Sequence, residues 1–111
     1  MVLADIKCVP CQGGEPILSG EELDDYMGQV DGWELYEGET KIKKEFEFDD
    51  FKKAIGFVNK VAELAEEEGH HPDIILHDYK IVRIELWTHK IGGLHKNDFI
   101  LASKIDAVLK T

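Results

Sequence analysis

The stretch Asp49 to Pro72, DDFKKAIGFVNKVAELAEEEGHHP, decides how the rest of the chain is read. Phe51, Ala54, Ile55, Val58, Val61, Ala62 and Ala65 recur at helical spacing and give one helix an apolar side. Asp49 and Asp50 supply caps for free amides and negative charge where the helix dipole favours it. Gly69 is the natural stop, because it can take the left-handed cap conformation. Glu66, Glu67 and Glu68 crowd the end where the dipole prefers cations. Glu67 and Glu68 read as a solvated run, whereas Glu66 precedes a histidine by four residues. Beyond the stop, the residue before Pro72 is pushed to extended backbone, so His70 and His71 are splayed in two fixed directions.

Upstream, Thr40 to Phe48 alternates, with Ile42, Phe46 and Phe48 on one face and Lys43, Glu45 and Glu47 on the other. Lys44 falls on the apolar side and is expected to snorkel at its edge. With Trp33 to Tyr36 and a turn at Glu37-Gly38-Glu39, this makes a hairpin. Ser19-Gly20-Glu21-Glu22 has the form of a capping box for a short helix carrying Leu23, Tyr26, Met27 and Val30, stopped by Asp31-Gly32. Residues 1–18, with Cys8, Cys11, Gly13, Gly14 and two of the three prolines, lack periodicity and read as an irregular arm ordered only in part.

Downstream, Asp73 to His77 reads as a strand, Asp78-Tyr79-Lys80 as a turn, and Ile81 to His89 as a long strand. In that strand Val82, Ile84, Leu86 and Thr88 share one face, and Arg83, Glu85, Trp87 and His89 the other. Ile91 to Leu94 is a loop. From His95 a last helix buries Phe99, Ala102, Ile105 and Val108 or Leu109. The order α-β-β-α-β-β-α predicts an α+β domain over residues 19–111, a four-stranded antiparallel sheet with helices packed on one face. The other face, partly apolar through Trp87, suits a second copy of the chain, so a homodimer or homotetramer is expected.

A chain of 111 residues bounds this to one domain. Its net charge of −10 repels a phosphate backbone, which argues against direct nucleic-acid binding. No apolar run approaches the roughly 20 residues of a membrane span. The start, Met-Val-Leu-Ala-Asp-Ile-Lys, lacks the basic and apolar regions of a secretory signal, so a cytoplasmic location is expected. Cys8-Val9-Pro10-Cys11 is a single CxxC with no second pair, and reads as reduced, functionally silent thiols rather than as a zinc or redox site.

All five histidines, His70, His71, His77, His89 and His95, fall between Glu66 and Asp98. Such a cluster suits proton transfer, metal binding or pH sensing. Adjacent His70 and His71 lack the ligand spacing of known zinc motifs, which disfavours metal even with Glu66, Asp73 and Asp98 at hand. His77 and His95 read as surface residues.

The run Glu66-x-x-x-His70-His71-Pro72, followed by Tyr79, His89 and Asp98, resembles the signature of the pterin-4a-carbinolamine dehydratases. Gly32-Trp33, Lys44-x-Phe46-x-Phe48-x-Asp50-Phe51, Thr88-His89, Gly93-Leu94 and Asp98-Phe99-x-Leu101-Ala102 resemble further family positions, and Cys8-Val9-Pro10-Cys11-x-Gly13-Gly14 resembles the lead-in of microbial and plant members. This resemblance implies loss of water from a 4a-hydroxytetrahydropterin to give the quinonoid dihydropterin, in recycling of the cofactor of an aromatic amino acid hydroxylase. It implies no metal, nucleotide or redox cofactor. By the same resemblance His70, His71 and His89 are the catalytic imidazoles, with acid and base unassigned. Pro72, Thr88, Lys90 and Ile91 shape the pocket, Glu66 orients an imidazole, and Asp98 does the same or binds the pterin edge. Trp33 stands either as an aromatic lid or as a core or interface ring. Members usually carry Ser or Thr where this chain has His95, a poorer N-cap, which either loosens the loop holding Asp98 or adds a fourth imidazole to the pocket. The resemblance leaves two alternatives: a non-catalytic protein-binding module like the family's dimerisation cofactor, and a role in molybdopterin-related metabolism.

Overall fold

The computed structural model describes residues 3–10 and 12–109. Seven main elements follow one another: α1 (Gly20–Met27), β1 (Glu34–Tyr36), β2 (Lys41–Glu47), α2 (Phe51–Glu68), β3 (Asp73–His77), β4 (Ile81–Leu86) and α3 (Lys96–Val108), with a short 3-10 turn at Leu3–Asp5. The strands form one antiparallel sheet in the order β1-β2-β4-β3. Ile42 pairs with Leu86 and Phe46 with Val82 across the centre, and Ile74 pairs with Ile84. This register brings Ile42, Phe46, Val82, Ile84 and Leu86 to one face, where all are buried. The architecture is the expected α+β arrangement, with α1, α2 and α3 covering that face and leaving the other open.

The core is aromatic on the α2 side. Phe57 sits with its ring centroid 4.8 Å from that of Phe46 and 5.0 Å from that of Phe48. Ala54, Val61 and Ala65 continue the buried stripe. Phe51, expected on that stripe, is 52% exposed, and Ala62 also faces outward. Ala54, Val61 and Ala65 are buried and Val58 packs against the core as expected, while Phe57, absent from the expected stripe, joins them against Phe46 and Phe48. At its ends α2 behaves as expected: Asp50 accepts from the Lys53 amide, and Gly69 caps it at φ 65°.

Other expectations are corrected. Ser19 is the N-cap of α1, but its side chain makes no capping bond, and α1 ends at Met27 before Asp31-Gly32. The irregular arm is fastened to the domain, with Leu3, Cys8 and Leu18 buried in the core. Glu68 is not a solvated acid: its side chain is 7% exposed and accepts from Lys104 at 2.9 Å and from the Cys8 amide at 2.8 Å.

Lys44 does more than snorkel. Its ammonium donates to Asp106 at 2.8 Å and to the Asp31 carbonyl at 2.7 Å. Asp106 in turn accepts from the Trp33 indole at 3.1 Å. The strand expected to reach His89 leaves the ladder after Leu86, and Thr88 then bridges back to Gly93. The open sheet face carries Tyr36 and Arg83, both donating to Glu85, and His77 bonded to Glu45. Among the described residues, no helix is long and apolar enough to cross a membrane.

Candidate active site

The end of α2 and the turn after β4 lie side by side, and a cleft of about 360 Å³ opens between them. Gly69, His70 and His71 line it from the first, and Thr88, His89 and Lys90 from the second. Asn97 from the first turn of α3 and Val9 and Pro10 from the arm complete the wall. Two clefts of similar volume elsewhere have no histidine in their walls.

Each imidazole is held differently. His70 Nε2 lies 2.6 Å from Asp98 Oδ1, and Asp98 is fully buried. The other Asp98 oxygen accepts from the Thr88 hydroxyl at 2.9 Å and from the His95 amide at 3.0 Å. Asp98 thus joins the turn after β4, the start of α3 and His70. His71 Nε2 lies 2.5 Å from Glu66 Oε2 at the surface. The His89 ring stacks on Trp87, with centroids 4.2 Å apart and 23° between planes, and the Lys41 ammonium stands 3.9 Å from the Trp87 centroid. Thr88 is buried, bridging to Gly93, while His89, the next residue, is in the turn and exposed.

His70, His71, His89, Thr88 and Lys90 therefore share the cleft, with Glu66 and Asp98 bonded behind two of the rings. Pro72 and Ile91 adjoin wall residues in sequence but are not on the wall. Trp33 is no lid: it is 6% exposed, its ring meets Phe46 edge-on at 6.2 Å, and its indole is tied to Asp106. His77 lies on the open sheet face. His95 is neither loosening nor a fourth pocket imidazole, because its Nδ1 accepts from the Asn97 amide and so replaces a capping hydroxyl.

Val9, Pro10 and Asn97 were missed from the sequence; the one signal was the likeness of Cys8-Val9-Pro10-Cys11 to a family lead-in. Cys8 is a free thiol, and burial followed by the nearby Glu68 charge pushes its pKa up to about 12. Cys11 lies outside the described residues. Among the described residues, no three His, Cys, Asp or Glu side chains are placed to hold a metal ion.

Residues 16–108 match the family described as Pterin 4 alpha carbinolamine dehydratase. A protein of Methylococcus capsulatus, provisionally named pterin-4-alpha-carbinolamine dehydratase, is 50% identical over 90% of this chain and 87% of its own. One of Halorhodospira halophila with the same provisional name is 49% identical over 97% of this chain and 98% of its own. Among solved structures, a transcriptional coactivator/pterin dehydratase from Brucella melitensis superposes with a TM-score of 0.77 at 32% identity, covering 84% of this chain and 98% of that one. A pterin dehydratase-like RuBisCO assembly factor of the alpha-carboxysome superposes at 0.60 with 26% identity, covering 69% and 88%.

Proposed function

Because the chain belongs to the pterin 4 alpha carbinolamine dehydratase family, we propose that it removes water from a 4a-hydroxytetrahydropterin by histidine acid–base catalysis in this cleft. The observation that carries this reading is the array Thr88–Asp98–His70, in which a buried carboxylate fixes one imidazole at the cleft.

Dehydration breaks the C4a–O bond and forms a C4a=N5 double bond. The hydroxyl leaves as water with an added proton, and the N5 proton passes to a base; no electrons are gained or lost. A carboxylate only accepts, so the hydrogen between His70 and Asp98 belongs on His70 Nε2. That leaves Nδ1 as the acceptor of the ring and favours His70 as the base that takes the N5 proton. His71 and His89, open to solvent, then supply the proton that departs with the hydroxyl. Glu66 keeps His71 in position, and stacking on Trp87 does so for His89. Solvent returns the site to its starting protonation after each turnover.

The substrate would come from a reaction that leaves a pterin hydroxylated at C4a, as an aromatic amino acid hydroxylase does. Assembly into homodimers or homotetramers and a cytoplasmic setting belong to the same proposal.

The test is dehydration of freshly generated 4a-hydroxytetrahydropterin followed by absorbance. His70→Ala is expected to lower kcat by about 10²- to 10⁴-fold. A wild-type rate no faster than that of the H70A/H71A double variant overturns the reading.

The two solved relatives favour a second reading, binding of another protein, since the name of one includes a coactivator and that of the other an assembly factor. Partner capture that survives in the H70A/H71A variant while dehydration is absent from the wild type would favour it.

A further inference from the structure

The proton transfers proposed above make no use of the N-terminal arm, yet the arm builds one wall of the same cleft. Val9 and Pro10 line it together with the three imidazoles. Asn97, itself 2% exposed, commits both ends of its amide to one arm residue: the Val9 N–H donates to Oδ1 at 3.0 Å, and Nδ2 donates to the Val9 carbonyl at 2.6 Å. One residue earlier, the Cys8 N–H donates to Glu68, which Lys104 holds from α3.

Further along, the arm is fastened again beyond the cleft. The Leu18 N–H donates to the Leu94 carbonyl at 2.9 Å, and Ile17 fills the space where a side chain on Gly93 would stand, 2.6 Å from a Cβ placed there. The arm therefore grips both the first turn of α3 and the loop that carries His89. A buried amide with donor and acceptor spent on a single backbone unit fixes that unit in two directions, which a segment serving only to cover the core would not need.

We propose that Val9 and Pro10 are a substrate-contacting wall and that Asn97 is the positioning residue that sets it; this rests on the dehydratase reading. Val9 and Pro10 bring apolar side chains, and the Val9 N–H and carbonyl are spent on Asn97, so this wall suits the face or hydrocarbon portion of a flat heterocycle, not its hydrogen-bonding edge. It acts equally on bound substrate and transition state. Its loss raises KM and leaves kcat and the pH profile in place.

Steady-state dehydration kinetics of Asn97→Ala and Val9→Ala across pH test this. Expected are rises in KM of about tenfold for N97A and about three- to tenfold for V9A, with kcat within about twofold and the pH profile unmoved. Val9 is 59% exposed, so V9A remains informative if N97A fails to fold. A wild-type KM in V9A, or a fall in kcat with a displaced pH profile, overturns the wall while the dehydratase reading stands. Absence of turnover in the wild-type protein overturns both.

Discussion

Asp98 is the residue on which the proposed chemistry turns, since it is fully buried and accepts from the Thr88 hydroxyl and the His95 amide while facing His70 Nε2. Asp98→Asn keeps the shape but puts a donating NH₂ among groups that need an acceptor, which leaves one buried partner unpaired. The expected result is a fall in kcat of about 10²-fold or more, little change in KM, and a loss of about 1–3 kcal/mol in urea unfolding. At this scale the choice of His70, His71 and His89 among the five histidines came from the family resemblance, and all three line one cleft, whereas the partners of the acids were not legible. Four-residue spacing would place Glu66 beneath His70 only if the helix continued. Gly69 turns the chain into the left-handed region, so His71 receives Glu66 and His70 swings to Asp98. Glu68 resembles its neighbours in sequence, and only the fold brings Lys104 and the Cys8 amide to it.

At the scale of elements, the seven main strands and helices were readable from periodicity, and the errors lie in where α1 and β4 end and in which ring of α2 faces inward. In α2 the expected stripe holds at Ala54, Val58, Val61 and Ala65 but includes Phe51 and omits Phe57. Both rings have helical spacing to that stripe, so the choice between them is made by the partner. Phe46 and Phe48 of the hairpin select Phe57, and Phe51 is left outside. Phe57→Ala should therefore cost about 3–5 kcal/mol by denaturant unfolding. Phe51→Ala, at an exposed first turn, should stay within about 0.5 kcal/mol. Equal costs would mean that Phe51 shares the buried face with Phe57. Trp33 was ambiguous for a similar reason, because an aromatic beside a glycine carries no mark of whether a ligand or a core ring will cover it. Its indole found Asp106 on α3, more than seventy positions away.

For the whole molecule, the arm, α2 and α3 meet at Glu68. Burial alone would push its carboxyl up, but the Cys8 amide, the Lys104 bond and charge, and Lys7 together hold it below the ordinary value of 4.5. A depressed carboxyl contributes stability that is present above that value and is lost as pH falls through the lower, folded one. Acidification below about pH 4.5 should accordingly loosen the arm, seen as faster hydrogen exchange at the Cys8 amide, and Glu68→Gln should remove this acid step. An unchanged acid step in E68Q would assign it to other carboxylates. The arm was the least legible part of the fold. Its anchors are a few hydrogen bonds from distant side chains and isolated apolar residues, which leave no periodic trace in a sequence.

Those anchors also bear on the order in which the molecule assembles. The bonds from Cys8 to Glu68 and from Val9 to Asn97 join residues 60 and 88 positions apart, while both hairpins close over only a few residues. Closing long loops carries the larger entropic cost and tends to come late, after the local pairings have formed. During refolding the sheet and α2 would then take shape with the cleft still unwalled, and the protein would pass through a stage that is folded at its centre but not yet able to hold a ligand.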